Sequence, residues 1–180
     1  MKKIIISLLS IMIVGSMSCK KTESDKTNDD IYFKTLNKTI VKQGNDSISG
    51  TCKDLVFEVI SNNQTDFSSI LRINSALGEC DGYNSILTNS DGEKVVPLNV
   101  DFEISETSNW NRIHDLSLDD FAGKGEKYIG YRSCFFPSGI DNFNYGWIKI
   151  RLSINKDTLA IISRATNHAN YKSIKTGQIN

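Results

Sequence analysis

The chain reads as an all-β protein, an antiparallel β-sandwich carried behind a leader and a polar tether. Three observations predict this. Apolar and polar residues alternate with period two in several runs, turn-forming residues punctuate those runs, and no helical pattern extends beyond residues 116–121. A sheet that is apolar on one face must bury that face against another layer, and a second sheet is the natural partner.

Taken from the amino terminus, Lys2 and Lys3 precede an apolar run over residues 4–14 that only Ser7 and Ser10 interrupt. A positive start before a short apolar run is the layout of a secretory signal. Crossing a bilayer takes roughly 20 apolar residues, and Gly15, Ser16 and Ser18 end this run sooner. The segment Gly15-Ser16-Met17-Ser18-Cys19 resembles the lipobox of Bacteroidota-type bacterial lipoproteins, with Ser16 in place of the usual leucine and Met17 in place of a smaller residue. That resemblance implies a signal peptide over 1–18, diacylglycerol on the Cys19 thiol and cleavage in front of it. An ordinary signal peptide followed by a structural cysteine is the alternative. Residues 20–30 are polar and hold no aromatic side chain. Burial there cannot offset the entropy of ordering, so 19–30 reads as a lipidated cysteine and its tether. Acyl chains, at about 0.8 kcal/mol per buried methylene, would hold the chain on a cell-envelope membrane, the outer expected before the inner.

The formal charge is balanced, with 21 basic and 21 acidic residues; losing Lys2 and Lys3 leaves 19 against 21, a net charge of −2. Nothing there predicts a basic face for nucleic acid. Residues 31–180 have the length of one domain with one core.

Within that domain, residues 31–36 and 39–42 read as two strands, and the apolar run 55–60 as a more central one. Asn89-Ser90-Asp91-Gly92 separates 86–88 from Val95-Val96 as a hairpin turn. The cleanest alternation is Val100-Asp101-Phe102-Glu103-Ile104, which reads as a strand with one wet face. Residues 127–136 form an aromatic-rich strand. In 147–154 the row Ile148, Ile150, Leu152 and Ile154 takes one face, and Asn155-Lys156-Asp157 turns the chain into a partner over 159–163. Pro97 and Pro137 stand at the ends of strand-like runs, where a missing ladder donor is tolerated.

With Cys19 assigned to lipid, Cys52, Cys80 and Cys134 remain, and three pairings are open. If residues 54–60 pair with 72–78 in a hairpin, facing positions add to about 132, and Cys52 with Cys80 meets that register. A Cys52–Cys80 disulfide is therefore expected, with Cys134 left as a buried thiol.

Tyr128-Ile129-Gly130-Tyr131, Tyr145-Gly146-Trp147-Ile148-Lys149-Ile150 and Ile174-Lys175-Thr176-Gly177-Gln178 resemble the closing strands of a β-rich domain of unassigned function found in secreted and lipid-anchored bacterial proteins. Lys53-Asp54-Leu55-Val56-Phe57 is similar to its opening strand, with Gly50-Thr51-Cys52-Lys53 replacing an acidic run. The resemblance implies an all-β fold and brings no catalytic residue.

Alternation places Tyr145, Trp147, Lys149 and Arg151 together opposite the aliphatic row. Amphipathic aromatics beside cations form a candidate binding face for a glycan or an envelope protein; coverage by a loop as a satellite core is the competing reading. Asp115, Asp119, Asp120 and Glu126 carry the only carboxylate cluster worth weighing for glycoside hydrolysis, which needs two such groups about 5 to 10 Å apart. A short helical turn with its acids in water is the plainer reading. His114 and His168 have no metal-ligand spacing around them, so no metal and no cofactor are expected. The expectation is a non-catalytic, lipid-anchored binding or interaction module, with an envelope polysaccharide hydrolase or a purely structural lipoprotein as alternatives.

Overall fold

The computed structural model describes residues 30–48, 54–62, 66–74, 85–112, 115–134, 143–169 and 171–180. Twelve strands follow in order: β1 (Ile31–Val41), β2 (Gly44–Ile48), β3 (Asp54–Ser61), β4 (Phe67–Asn74), β5 (Ser85–Leu87), β6 (Glu103–Ile104), β7 (Trp110–Asn111), β8 (Asp115–Ser117), β9 (Glu126–Cys134), β10 (Phe143–Leu152), β11 (Thr158–Asn167) and β12 (Ile174–Lys175). A 3-10 turn at Asp119–Phe121 is the only helical element among the described residues. The protein is an all-β sandwich. A six-stranded sheet, β1-β11-β10-β9-β5-β7, faces a four-stranded sheet, β2-β3-β4-β8, and the pair β12-β6 forms a separate ribbon. Every strand pair is antiparallel. The chain changes sheets at both borders, from edge β1 to edge β2 and from edge β7 to edge β8.

Between the two sheets lies an inner core. Leu55, Phe57, Val59, Leu71 and Leu116 come from the smaller sheet; Ile86, Ile129, Ile148, Ile150, Leu152, Leu159 and Ile161 come from the larger. These are the apolar positions of period-two runs, and their burial is what holds the layers together, at roughly 25 cal/mol per Å² removed from water. A second, outer core sits on the opposite face of the six-stranded sheet. It gathers Tyr128, Phe143, Tyr145, Trp147, Ile31 and Ala165 under Ile104 and Ile174 of the ribbon, with Leu98 from the intervening chain. The sheet is thus covered on both faces over part of its length.

One irregularity lets β11 serve both cores. Lys149 faces Ser163 and Ile150 faces Ile161, so Ile162 is an extra residue relative to β10. A bulge of this kind shifts the alternation by one. Leu159 and Ile161 consequently point into the inner core, whereas Ala165 joins the outer one. Opposite the same place β1 shifts its pairing between Thr35 and Lys38, and Asn37 takes φ 48°. The two strands expected over 31–36 and 39–42 are therefore one strand with a kink.

Other expectations change too. β3 and β4 pair from Asp54 with Asn74 to Ser61 with Phe67, so facing positions add to 128 (54 with 74), not 132. The geometric ground for a Cys52–Cys80 bridge is thereby withdrawn; both residues lie outside the described ones, as does the side chain of Cys134. Of the run 100–104 only Glu103–Ile104 is a strand. Asp101 has φ 64°, Val100 and Phe102 are exposed at 61% and 43%, and Ile104 alone is buried. β10 ends at Leu152, which leaves Ile154 in the turn at 76% exposure. Leu116 lies in β8 and not in a helical turn, while Leu118 and Phe121 are buried as core residues. The two expected turns are present: Gly92 N donates to Asn89 O at 3.0 Å with Gly92 at φ 76°, and Lys156, at φ 61°, donates from its backbone to Ser153 O at 3.0 Å.

Candidate functional site

The face expected to present Tyr145 and Trp147 to solvent is covered. Tyr145 is 0% and Trp147 2% exposed, because the β6–β12 ribbon and the carboxyl-terminal segment close over them. Trp147 meets Tyr128 edge-on with centroids 5.3 Å apart and Phe33 at 6.1 Å, and its indole N–H donates to Gln178 O at 3.2 Å. Lys149 leans over the Tyr128 ring at 5.7 Å and pairs with Glu126 at 2.5 Å. That hydrogen bond holds the Glu126 carboxyl below its ordinary range and raises the Lys149 ammonium. Only Arg151 remains exposed on this face. The proposed quartet is one buried aromatic pair with an ion pair at its border.

The three motifs singled out in the sequence meet in this region. A β-carbon at Gly146 would collide with the Tyr131 ring and lie 2.6 Å from Ala165 O. Tyr131 crosses the strand at this point and places its hydroxyl against Thr166 Oγ1 and Ala165 O. Burial raises the phenol above its usual pKa. On the other face, Leu87 and Ile104 pack 3.1 and 3.3 Å from the place a Gly130 side chain would need. Gly177, at φ 84°, lies beneath the Tyr128 hydroxyl. These residues position one another.

Three carboxylates of the acidic segment pair with three different cations. Asp115, on β8, binds Arg72 at 2.7 Å, and Arg72 also reaches Glu58 at 3.3 Å. Asp119 binds Lys156 at 2.9 Å and accepts from Ser69 N, tying the 3-10 turn to β4 and to the β10–β11 turn. Glu126 belongs to Lys149, and Asp120 faces water. Each of the three paired carboxylates serves a different seam of the sandwich.

Clefts lined by described residues include the following pair. The larger, of about 610 Å³, is lined by Asp30, Ile31, Asn167, Lys172, Ser173, Gln178 and Asn180. It lies where β1 begins and β11 ends, since Ile31 faces Asn167. Ile31 is the one aliphatic residue of this lining, and Asn167, Gln178 and Asn180 bring amides to it. Asn167, only 5% exposed, donates through Nδ2 to Ser173 O at 3.1 Å and accepts from Ala169 N at 2.9 Å. Gln178 accepts from Lys175 N at 3.0 Å and donates to Asn180 O at 3.1 Å. Each amide thereby keeps one N–H and one lone pair in reserve. Lys172 and Asp30 pair at 3.3 Å, so the two charges of the cleft cancel. Beside it Tyr171, 43% exposed, stands edge-on to Phe143 at 6.4 Å. Phe143 in turn carries the Arg132 guanidinium 4.3 Å from its centroid, and Trp110 stacks on Tyr145 at 5.8 Å. The smaller cleft, about 340 Å³, is lined by Gln43, Gly44, Asn45, Glu58, Val59 and Ile60.

Sequence reasoning did not find the larger cleft. Its residues come from the two ends of the domain, and the only local sign is the run of amides and hydroxyls after β11. Comparison with protein-family models, with curated proteins and with solved structures found no match.

Proposed function

We propose that the chain is a cell-envelope lipoprotein, anchored through Cys19, whose β-sandwich acts as a non-catalytic binding module. The observation that carries this reading is the amide-lined cleft, which opens beside Asp30, where the tether 19–30 joins the domain. A cleft of several hundred Å³ where a few polar groups converge beside an aliphatic side chain is a form a small-ligand site takes. Against the hydrolase alternative, Asp115, Asp119 and Glu126 of the acidic segment are engaged in separate ion pairs.

Anchoring is tested by producing the full chain with labelled fatty acid in a lipoprotein-processing bacterium and fractionating the cells. The wild type carries label and sediments with membranes; Cys19→Ala loses the label and is released. A Cys19→Ala chain that stays with the membranes contradicts anchoring. Incubation with envelope polysaccharides leaves their reducing ends unchanged; cleavage that disappears in Asp119→Asn contradicts the non-catalytic assignment.

A further inference from the structure

The geometry points to the cleft between Asp30, Asn167, Ser173 and Gln178 as a site for a neutral, hydroxyl-rich ligand of the saccharide class. This deepens the binding-module reading and rests on it. A sugar offers donors and acceptors on adjacent hydroxyls and an apolar C–H face. Among the described residues, Asn167 and Gln178 each retain one N–H and one carbonyl lone pair, the planar pattern that two neighbouring hydroxyls satisfy. Ser173 is exposed, and its hydroxyl makes no hydrogen bond among the described residues. Ile31 adds an aliphatic side chain to the lining.

Charge selects the class further. Among the described side chains lining the cleft, the cation Lys172 is paired with the anion Asp30. An anionic ligand would have to break that pair to gain a partner, and a cationic one would meet the same obstacle with the opposite sign. A neutral polyol needs neither. The position adds a constraint from chain length. Cys19 and Asp30 are eleven residues apart, and at 3.3 to 3.6 Å per residue the tether spans at most about 40 Å. An anchored domain therefore presents this cleft within about 40 Å of the bilayer surface, within reach of saccharides borne on lipid headgroups as well as free ones.

The test uses the full lipidated chain in a detergent without sugar groups. Saturation-transfer spectra and calorimetry are recorded with neutral di- and trisaccharides of glucose and of N-acetylglucosamine, with glucuronate and inorganic phosphate as charged probes. A neutral saccharide binds with an affinity that changes less than twofold between 50 and 500 mM salt, on the order of what an uncharged contact allows. Ser173→Trp, which fills the cleft from an exposed position, weakens binding at least about tenfold (about 1.4 kcal/mol). Asn45→Trp, in the other cleft, leaves binding unchanged. Vesicles bearing a neutral glycolipid compete with the free sugar when the headgroup is the source and fail to compete when it is not. Loss in Asn45→Trp with retention in Ser173→Trp overturns the site while leaving a binding module in place. Preference for glucuronate or phosphate, or no saccharide bound by the wild type, overturns the ligand class; the fractionation result for Cys19→Ala stands apart from either outcome.

Discussion

The six-stranded sheet carries a core on each face, and the two are built from different materials. The inner one is mainly aliphatic and is closed by a second sheet, so its side chains interdigitate along paired strands. The outer one is mainly aromatic. It is closed by a two-stranded ribbon, by Leu98 and by the last residues of the chain. A full sheet brings its own ladder and excludes water cooperatively. A ribbon of two-residue strands has little hydrogen bonding of its own and depends on the rings beneath it. The inner core should therefore set global stability, and the outer core should hold the carboxyl-terminal segment in place, and with it the cleft.

The largest effect expected is Phe57→Ala in the inner core. The ring is fully buried, and truncations of this kind cost about 3–5 kcal/mol; denaturant unfolding should lose that amount with all probes moving together. Trp147→Ala should cost a similar or slightly smaller amount, about 3 kcal/mol, but with a different signature. Hydrogen exchange should speed first at Glu103–Ile104 and Ile174–Lys175, before the β3–β4 ladder is affected. If both sets of amides respond together, the two cores are one cooperative unit.

Tyr131→Phe is smaller. It leaves Thr166 Oγ1 and Ala165 O without that partner, a loss of about 1–2 kcal/mol. Because burial raises the folded-state phenol above its unfolded value, its contribution is complete below the unfolded pKa of about 10 and is lost as pH climbs through the folded one. The wild type should weaken in strong alkali more than Tyr131→Phe does, as read by urea midpoints across pH 9 to 12. The smallest effect is Glu126→Gln. An exposed pair of this kind is worth about 0–1 kcal/mol, and the lowered folded-state carboxyl makes its share present above the unfolded pKa and lost as pH falls through the folded one. Urea midpoints should differ slightly at neutral pH and converge in acid.

Alternation in the sequence was a reliable guide where one face alone was apolar. Ile148, Ile150 and Leu152 are buried as the pattern demands. It assigned Tyr145 and Trp147 to the right side of β10 and said nothing of what covers that side, because the cover, Ile104 and Ile174, comes from distant, very short strands. The run 100–104 misled for the complementary reason: Asp101 adopts a left-handed backbone, and only Ile104 of its apolar residues reaches a core. β2 was missed because Gly44–Ile48 is almost wholly polar, and the β3–β4 register was missed because nothing local fixed the hairpin length. The cleft was illegible for a related reason. It exists only once Ile31 is paired with Asn167 and the closing segment has folded back.

The kink in β1 matters beyond the packing it adjusts. β1 is an edge strand of the larger sheet and, at eleven residues, the longest among the described residues. A straight border of that length exposes unpaired amides that a second chain could copy. Here the regular pairing breaks between Thr35 and Lys38, and Asn37 turns out of the extended conformation. Lys34 and Lys38 place charge on either side of that break. An incoming strand would meet a border interrupted at this point, so the irregularity that lets one sheet feed two cores also breaks up the rim, a device that guards edge strands in other sheets.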